Sequence, residues 1–178
     1  LLVADMDKDG DLDLLHYSTH NYTDTLLIYY NNGDGVFNDI QKKKLITQSK
    51  QDQSTQYFQS YIFIADYDRD GDIDVGAYHF DQSSSSSNGS FTVYKVQLYM
   101  YKNNGTGTLT LDGKYEIDRA SFVENTKFVY DDYSGKPSIF VPSGRYDEQA
   151  LLIGIEGNAE FSETKLPLNV SSRYYVSF

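Results

Sequence analysis

The sequence predicts an all-β chain built from units of four antiparallel strands, the arrangement of a β-propeller blade. Three observations support this prediction: an acidic nine-residue loop that occurs twice, short apolar segments on both sides of each loop, and an Asn-Asn-Gly-x-Gly turn that also occurs twice. Repeats of roughly this length, whose units consist of short strands, are typical of propellers.

Short strands are expected on both sides of each acidic loop. Segments 1–4 and 13–17 flank the first loop, and segments 61–65 and 74–78 flank the second; they are rich in aliphatic and aromatic residues, as strands are. In the second unit we expect four strands, at 57–65, 74–80, 91–101 and 108–117. Segment 37–47, which contains three consecutive lysines, can be interpreted as a helical turn or as an outer edge strand, since edge strands commonly carry lysines.

The repeats divide the chain into three units. The two acidic loops begin at Asp5 and Asp66, and a third, degraded copy begins at Asp131. We therefore expect approximate repeats at 1–56, 57–120 and 121–170, and the start of a further blade at 171–178. Since a propeller needs about four to eight blades, we expect 1–178 to be a partial propeller and part of a longer chain.

Each acidic loop has the spacing of a calcium cage, with five aspartates in nine residues. These are Asp5, Asp7, Asp9, Asp11 and Asp13 in the first loop, and Asp66, Asp68, Asp70, Asp72 and Asp74 in the second. Ca²⁺ binds about six to eight oxygens at about 2.3–2.6 Å. Loop positions 1, 3 and 5 can supply side-chain oxygens, glycine at position 6 permits a sharp bend, position 7 offers its carbonyl, and position 9 closes the cage. The alternative, a plain solvated acidic turn, is disfavoured because the whole pattern recurs.

Neither loop is predicted to be an EF-hand. An EF-hand places a bidentate Glu at position 12 and a helix on either side. Position 12 is His16 in the first loop and Ala77 in the second, and the flanking segments indicate strands. Each loop is therefore expected to lie in a hairpin between two strands.

These motifs resemble the FG-GAP/VCBS repeat family, which includes the propeller blades of integrin α-subunits. The resemblance rests on Asp-x-Asp-x-Asp-Gly-Asp-x-Asp, the apolar strand after it, and the Asn-Asn-Gly-x-Gly turn. It implies two Ca²⁺ sites, in which positions 1, 3, 5 and 9 of each loop bind through side chains and position 7 through its carbonyl. The third copy departs from the pattern, because its position 3 falls near Tyr133 and its position 9 near Ser138. We expect no calcium there.

The amino-acid composition and the sequons of the chain indicate which partners it binds and in which compartment it functions. The net charge is −11 and no basic stripe is present, which argues against a nucleic-acid partner. No apolar run approaches the roughly eighteen residues of a membrane-inserted helix. Four Asn-x-Ser/Thr sequons begin at Asn21, Asn88, Asn104 and Asn169, although Asn104 lies in a tight turn. Together with calcium loops, the sequons favour an extracellular or cell-surface glycoprotein of the secretory pathway.

No catalytic constellation is apparent in the sequence. The three histidines, His16, His20 and His79, do not form a repeated site, and the chain has no cysteine. Asp131 and Asp132 are adjacent in sequence, so their side chains would point to opposite faces of a strand and could not act together as acid and base. The charged loop at 144–148, which contains Arg145 and Asp147, is explained by contact with solvent. We expect a non-catalytic, calcium-stabilised adhesion or binding module that contacts protein or glycan ligands. Two alternatives stay open: a propeller scaffold within a carbohydrate-active enzyme, and an architectural subunit that packs against neighbouring subunits of a large extracellular assembly.

Overall fold

The structure is a computed structural model that describes residues 1–20, 23–37, 39–47, 60–85, 92–119, 127–130, 137–141, 149–156 and 160–166. The regular structure of these residues consists of β-strands, and none of them lies in a helix. Consequently, the described part of the chain contains no helix that could cross a membrane.

Twelve strands form three four-stranded antiparallel sheets, each with its strands in chain order. The first sheet contains β1 (Leu2–Ala4), β2 (Asp13–His20), β3 (Thr23–Tyr30) and β4 (Asp39–Thr47). The second contains β5 (Ser60–Ala65), β6 (Asp74–Ser85), β7 (Thr92–Asn103) and β8 (Leu109–Arg119). The third contains β9 (Lys127–Tyr130), β10 (Pro137–Val141), β11 (Ala150–Glu156) and β12 (Glu160–Leu166). The chain is thus a partial propeller, and the sheets are its first, second and third blades.

Alternating burial explains why these segments form strands that pack against neighbouring blades. In β3, Leu26 and Ile28 are fully buried, whereas the residue between them is only half-buried. In β7, Leu98 and Met100 are buried in the same alternating way. Because successive side chains of a strand point to opposite faces, this pattern places one face of each sheet in a core.

Two cores join the three blades. The first core lies between the first and second blades and includes Met6, Leu15 and Val75, none of which is exposed. The second core lies between the second and third blades and includes Met100 and Ile153. The second blade therefore packs on both of its faces, which fixes the position of its acidic loop relative to that of the first blade.

The predicted strands of the second unit are confirmed as β5 to β8, although β6 extends to Ser85 and β7 to Asn103. The helical interpretation of segment 37–47 is wrong. Residues Asp39–Thr47 form β4, which pairs with β3 through Tyr30 opposite Asp39 and Tyr29 opposite Ile40. Backbone pairing along an open sheet edge thus decides the conformation of the lysine-rich segment.

Residues 171–178, the expected start of a further blade, lie outside the described residues. The limits of the repeats stay a prediction.

Candidate metal centre

The two acidic loops connect the first strand to the second strand of their blades and share an unusual backbone. The position-6 glycines adopt positive φ, 97° at Gly10 and 88° at Gly71. The position-4 residues do so as well, with φ of 60° at Lys8 and 62° at Arg69. Residues with a Cβ adopt this left-handed conformation at a cost of roughly 1–2 kcal/mol. The sequence predicted the glycine turn but not the second left-handed residue.

Backbone amides of each loop donate to the carboxylates at positions 1, 3 and 5. Gly10 N donates to Asp5 Oδ2 at 3.1 Å, and Asp11 N donates to Asp9 Oδ1 at 2.9 Å. The same bonds recur in the second loop, from Gly71 N to Asp66 Oδ2 at 3.0 Å and from Asp72 N to Asp70 Oδ1 at 2.9 Å. The weaker bonds to position 3 also match, from Asp9 N to Asp7 Oδ1 at 3.4 Å and from Asp70 N to Asp68 Oδ1 at 3.2 Å. These bonds fix the orientation of the carboxylates relative to the loop backbone.

The position-9 aspartates are fully buried and tie each loop to its blade. Asp13 accepts hydrogen bonds from Met6 N at 2.8 Å and from Asn31 N at 2.9 Å. Asp74 accepts them from Tyr67 N at 3.2 Å and from Asn103 N at 2.8 Å. Since an ionised carboxylate has about four lone-pair sites, each position-9 side chain can bind two amides and still offer an oxygen to a metal.

Three carboxylates converge in each loop, at positions 1, 3 and 9. Ligand atoms of Asp5, Asp7 and Asp13 lie within 4.8 Å of one another, and those of Asp66, Asp68 and Asp74 do the same. The other four predicted ligands, Asp9, Asp11, Asp70 and Asp72, are outside these two groups. That position 5 binds Ca²⁺ through its side chain, and position 7 through its carbonyl, stays a prediction.

The residues of the first loop fit a hard divalent cation. Asp5 Oδ1 is buried and has no hydrogen-bond partner among the described residues. Burial, followed by the charges of Asp13 and Asp9, raises the pKa of Asp7 above its ordinary value. In the second loop, burial raises the pKa of Asp74 to about 7, against the opposing effect of its two amide donors. Carboxylates that are buried together without enough positive charge are what Ca²⁺ neutralises.

Two lysines pair with the second loop. Lys8 of the first loop forms an ion pair with the Asp72 side chain, which places both loops on the same edge of adjoining blades. Lys102, at the end of β7, contacts Asp68 Oδ2 and lies 3.0 Å from Asp70 Oδ2. The amide of Asp72, and then Lys102, hold the pKa of Asp70 below its usual range. Sequence reasoning missed both lysines; an alignment of the two repeats, which places Lys102 opposite Tyr30, would have singled out one of them.

The other residues considered from the sequence do not join this site. His16 is exposed on β2, and His20 and His79 lie in β2 and β6. Ser138, near position 9 of the third copy, is buried in β10 opposite Val129. Five of the residues singled out, Asp131, Asp132, Tyr133, Arg145 and Asp147, lie outside the described residues, as does the rest of the loop at 144–148.

Of the four sequons, only the one at Asn104 lies in the described part of the chain. Its side-chain oxygen accepts hydrogen bonds from Thr106 N at 3.0 Å, Thr106 Oγ1 at 2.8 Å and Thr108 N at 3.1 Å. The amide group therefore shapes the turn between β7 and β8, as its position in the Asn-Asn-Gly-x-Gly motif predicted.

Comparison with known families agrees with this geometry. Residues 5–77 match the model of the FG-GAP-like repeat, a segment that begins at the first aspartate of the first loop and ends in β6, after the second loop. Comparisons with curated proteins and with solved structures gave no match. Residues 5–77, which carry both acidic hairpins, are therefore similar to an FG-GAP-like repeat.

Proposed function

We propose that the chain is a calcium-stabilised extracellular binding or adhesion module that contacts protein or glycan ligands and carries out no catalysis. The proposal rests on one observation above all: two loops with the same hydrogen bonds each bring three carboxylates together, on the same edge of neighbouring blades. Because the same partly buried, charged geometry occurs in both loops, a structural ion in each loop is favoured over a single reactive centre.

Bound Ca²⁺ would supply positive charge and a fixed set of oxygen contacts to Asp5, Asp7 and Asp13, and equally to Asp66, Asp68 and Asp74. The protein holds these side chains ready through the loop amides and the buried position-9 aspartates. Loops fixed in this way form a stiff surface at one edge of the blades, and a stiff surface loses less conformational entropy when it contacts a partner. Extracellular modules bind Ca²⁺ with dissociation constants of about 10⁻⁴–10⁻³ M, so we place the protein outside the cell.

Thermal unfolding of the chain in CaCl₂ and in EDTA tests the role of the metal. A ligand that binds only the folded state at about 100 times its dissociation constant adds about 2.7 kcal/mol, and about 1 kcal/mol raises the melting temperature of a domain this size by about 2–4 °C. We therefore expect a rise of several degrees in calcium. The variant Asp7→Asn should lose part of the rise, whereas Glu160→Gln, an exposed acidic residue on β12, should keep it. Equal melting temperatures in CaCl₂ and EDTA would contradict the proposal.

Binding to a glycan array and to a panel of immobilised extracellular matrix proteins tests the contact function. We expect binding in calcium that decreases in EDTA, because the loops then lose their fixed shape. If the chain instead cleaved polysaccharides in the same panel, the enzyme alternative would replace the binding module.

A further inference from the structure

The two acidic loops differ at one position that faces the metal-binding carboxylates. Asn31 N and Asn103 N donate the same hydrogen bond, to Asp13 Oδ1 and to Asp74 Oδ1. This equivalence aligns the preceding residues, so that Tyr30 of the first blade corresponds to Lys102 of the second.

Lys102 brings a positive charge into the second loop. Its ammonium contacts Asp68, one of the three converging carboxylates, and lies 3.0 Å from Asp70 Oδ2. The Lys102 side chain is 40% exposed. A flexible, partly exposed lysine can turn into solvent without disturbing the core.

The carboxylates of the first loop have no such counter-ion, because Lys8 of that loop pairs with Asp72 of the second loop. In the described part of the chain, no lysine or arginine pairs with Asp5, Asp7, Asp9, Asp11 or Asp13. Tyr30 is buried and lies against the second blade, because a Cβ added at Gly107 would lie 1.8 Å from its hydroxyl oxygen. The two loops therefore have the same hydrogen bonds but different local charge.

We infer that Lys102 is a built-in counter-ion that competes with Ca²⁺ for Asp68, so that the second loop binds Ca²⁺ more weakly than the first. The inference rests on the proposed calcium function. A divalent cation held by Asp68 and the ammonium of Lys102 repel each other and bind the same carboxylate, so Lys102 has to leave as the cation binds. Without metal, the ammonium offsets part of the loop's negative charge.

Calorimetric titration with CaCl₂ tests this inference. The wild-type chain should show two unequal sites, and Lys102→Met should tighten the weaker one by roughly two- to fivefold, the effect of removing a partly exposed ion pair. Asp7→Asn and Asp68→Asn, which each disable one loop, assign the two affinities. Lys114→Met is the matched control. Lys114 is similarly exposed, and it pairs at 3.9 Å with Glu116 on the same strand, β8, rather than with an acidic loop.

A second measurement covers the case in which a variant unfolds. In EDTA, Lys102→Met should melt at a lower temperature than wild type, because the loop loses its counter-ion; in saturating CaCl₂ this difference should shrink or reverse. If wild type binds no Ca²⁺, the proposed metal function fails. If it binds Ca²⁺ at two equal sites, or if Lys102→Met leaves the weaker affinity unchanged or alters only the first loop, the role of Lys102 is overturned.

Discussion

The side-chain amide of Asn103 donates a hydrogen bond of 2.7 Å to the main-chain carbonyl of Met6, and so joins the second blade to the acidic loop of the first. The same amide donates to the carbonyl of Ile73 at 3.1 Å, and Asn103 is buried. Asn31, the equivalent residue of the first blade, instead accepts hydrogen bonds from Gly33 N and Gly35 N of its own turn. The same residue type at the same repeat position therefore makes side-chain hydrogen bonds between blades at Asn103, but within its own turn at Asn31.

The variant Asn103→Ala is expected to be more destabilising than Asn31→Ala. It leaves two carbonyls without their donor in a buried setting, at about 1–3 kcal/mol each, whereas the partly exposed Asn31 has water as a substitute. We expect a loss of about 2–6 kcal/mol for Asn103→Ala and about 1 kcal/mol for Asn31→Ala in urea unfolding. Similar losses for the two variants would show that the contact between the blades adds little.

A second prediction compares Gly107 with Gly35, the equivalent glycines of the two turns. Both have positive φ, 74° and 72°, but a Cβ at Gly107 would collide with the Tyr30 hydroxyl, and one at Gly35 would have no atom within 4 Å. Gly35→Ala should cost about 1–2 kcal/mol for its backbone conformation alone. Gly107→Ala should cost about 1–3 kcal/mol more because of the collision.

Tyr30→Phe removes the hydroxyl and serves as the control for this collision. Gly107→Ala should be less destabilising in the Tyr30→Phe background than in wild type, as measured by the free energy of unfolding in urea. Because two ring carbons of Tyr30 also lie within 3.0 Å of the added Cβ, additive effects of the two substitutions would rule out the hydroxyl as the group that the Cβ meets.

The third prediction separates the two roles of the aspartates in the first loop. Asp13→Asn should destabilise the chain by about 1–3 kcal/mol even in EDTA, because an amide cannot accept both backbone hydrogen bonds through its two end atoms. Asp7→Asn should be neutral or slightly stabilising in EDTA, because burial and its acidic neighbours already disfavour the charged form. In CaCl₂, both variants should lose stabilisation by the metal. Equal melting temperatures of the two variants in EDTA would contradict this division of roles.

The fourth prediction concerns the ion pair between Lys8 and Asp72, which connects the two loops. Lys8→Met should lower the melting temperature only slightly at low salt, because an exposed ion pair contributes little, and this effect should vanish in about 1 M NaCl. Arg69→Met is the matched control, because Arg69 has nearly the same φ and forms no ion pair with another described residue. A salt-independent loss in Lys8→Met would point to packing of its aliphatic chain instead.

The strands and the loops could be predicted because their signals are local. Alternating apolar residues mark the strands, and the spacing of Asp5, Asp7 and Asp13 around Gly10 is contained in nine residues. The lysines of segment 37–47 left helix and strand open, since only pairing with β3 decides between them.

The contacts that distinguish the two loops could not be predicted in this way. Lys102 meets Asp68 across 34 residues, and Asn103 meets Met6 across 97. Such pairs depend on how two blades pack and on which rotamer a side chain adopts, and no short pattern encodes either. The second role of Asp13, as acceptor for Met6 N and Asn31 N, needed the paired strands for the same reason.

Four of the hydrogen bonds that shape the first loop begin and end within its nine residues, and other described residues add the backbone amide of Asn31 and the side-chain amide of Asn103. This nine-residue cassette is therefore nearly self-contained. From the rest of the blade it needs two antiparallel strands to connect and a backbone amide at the end of the third strand. An array that grows by duplicating this cassette gains another patch of negative charge beside the last. If each cassette holds one Ca²⁺ as proposed, the number of cassettes sets how many ions the array needs, and hence how steeply its stability depends on the supply of calcium.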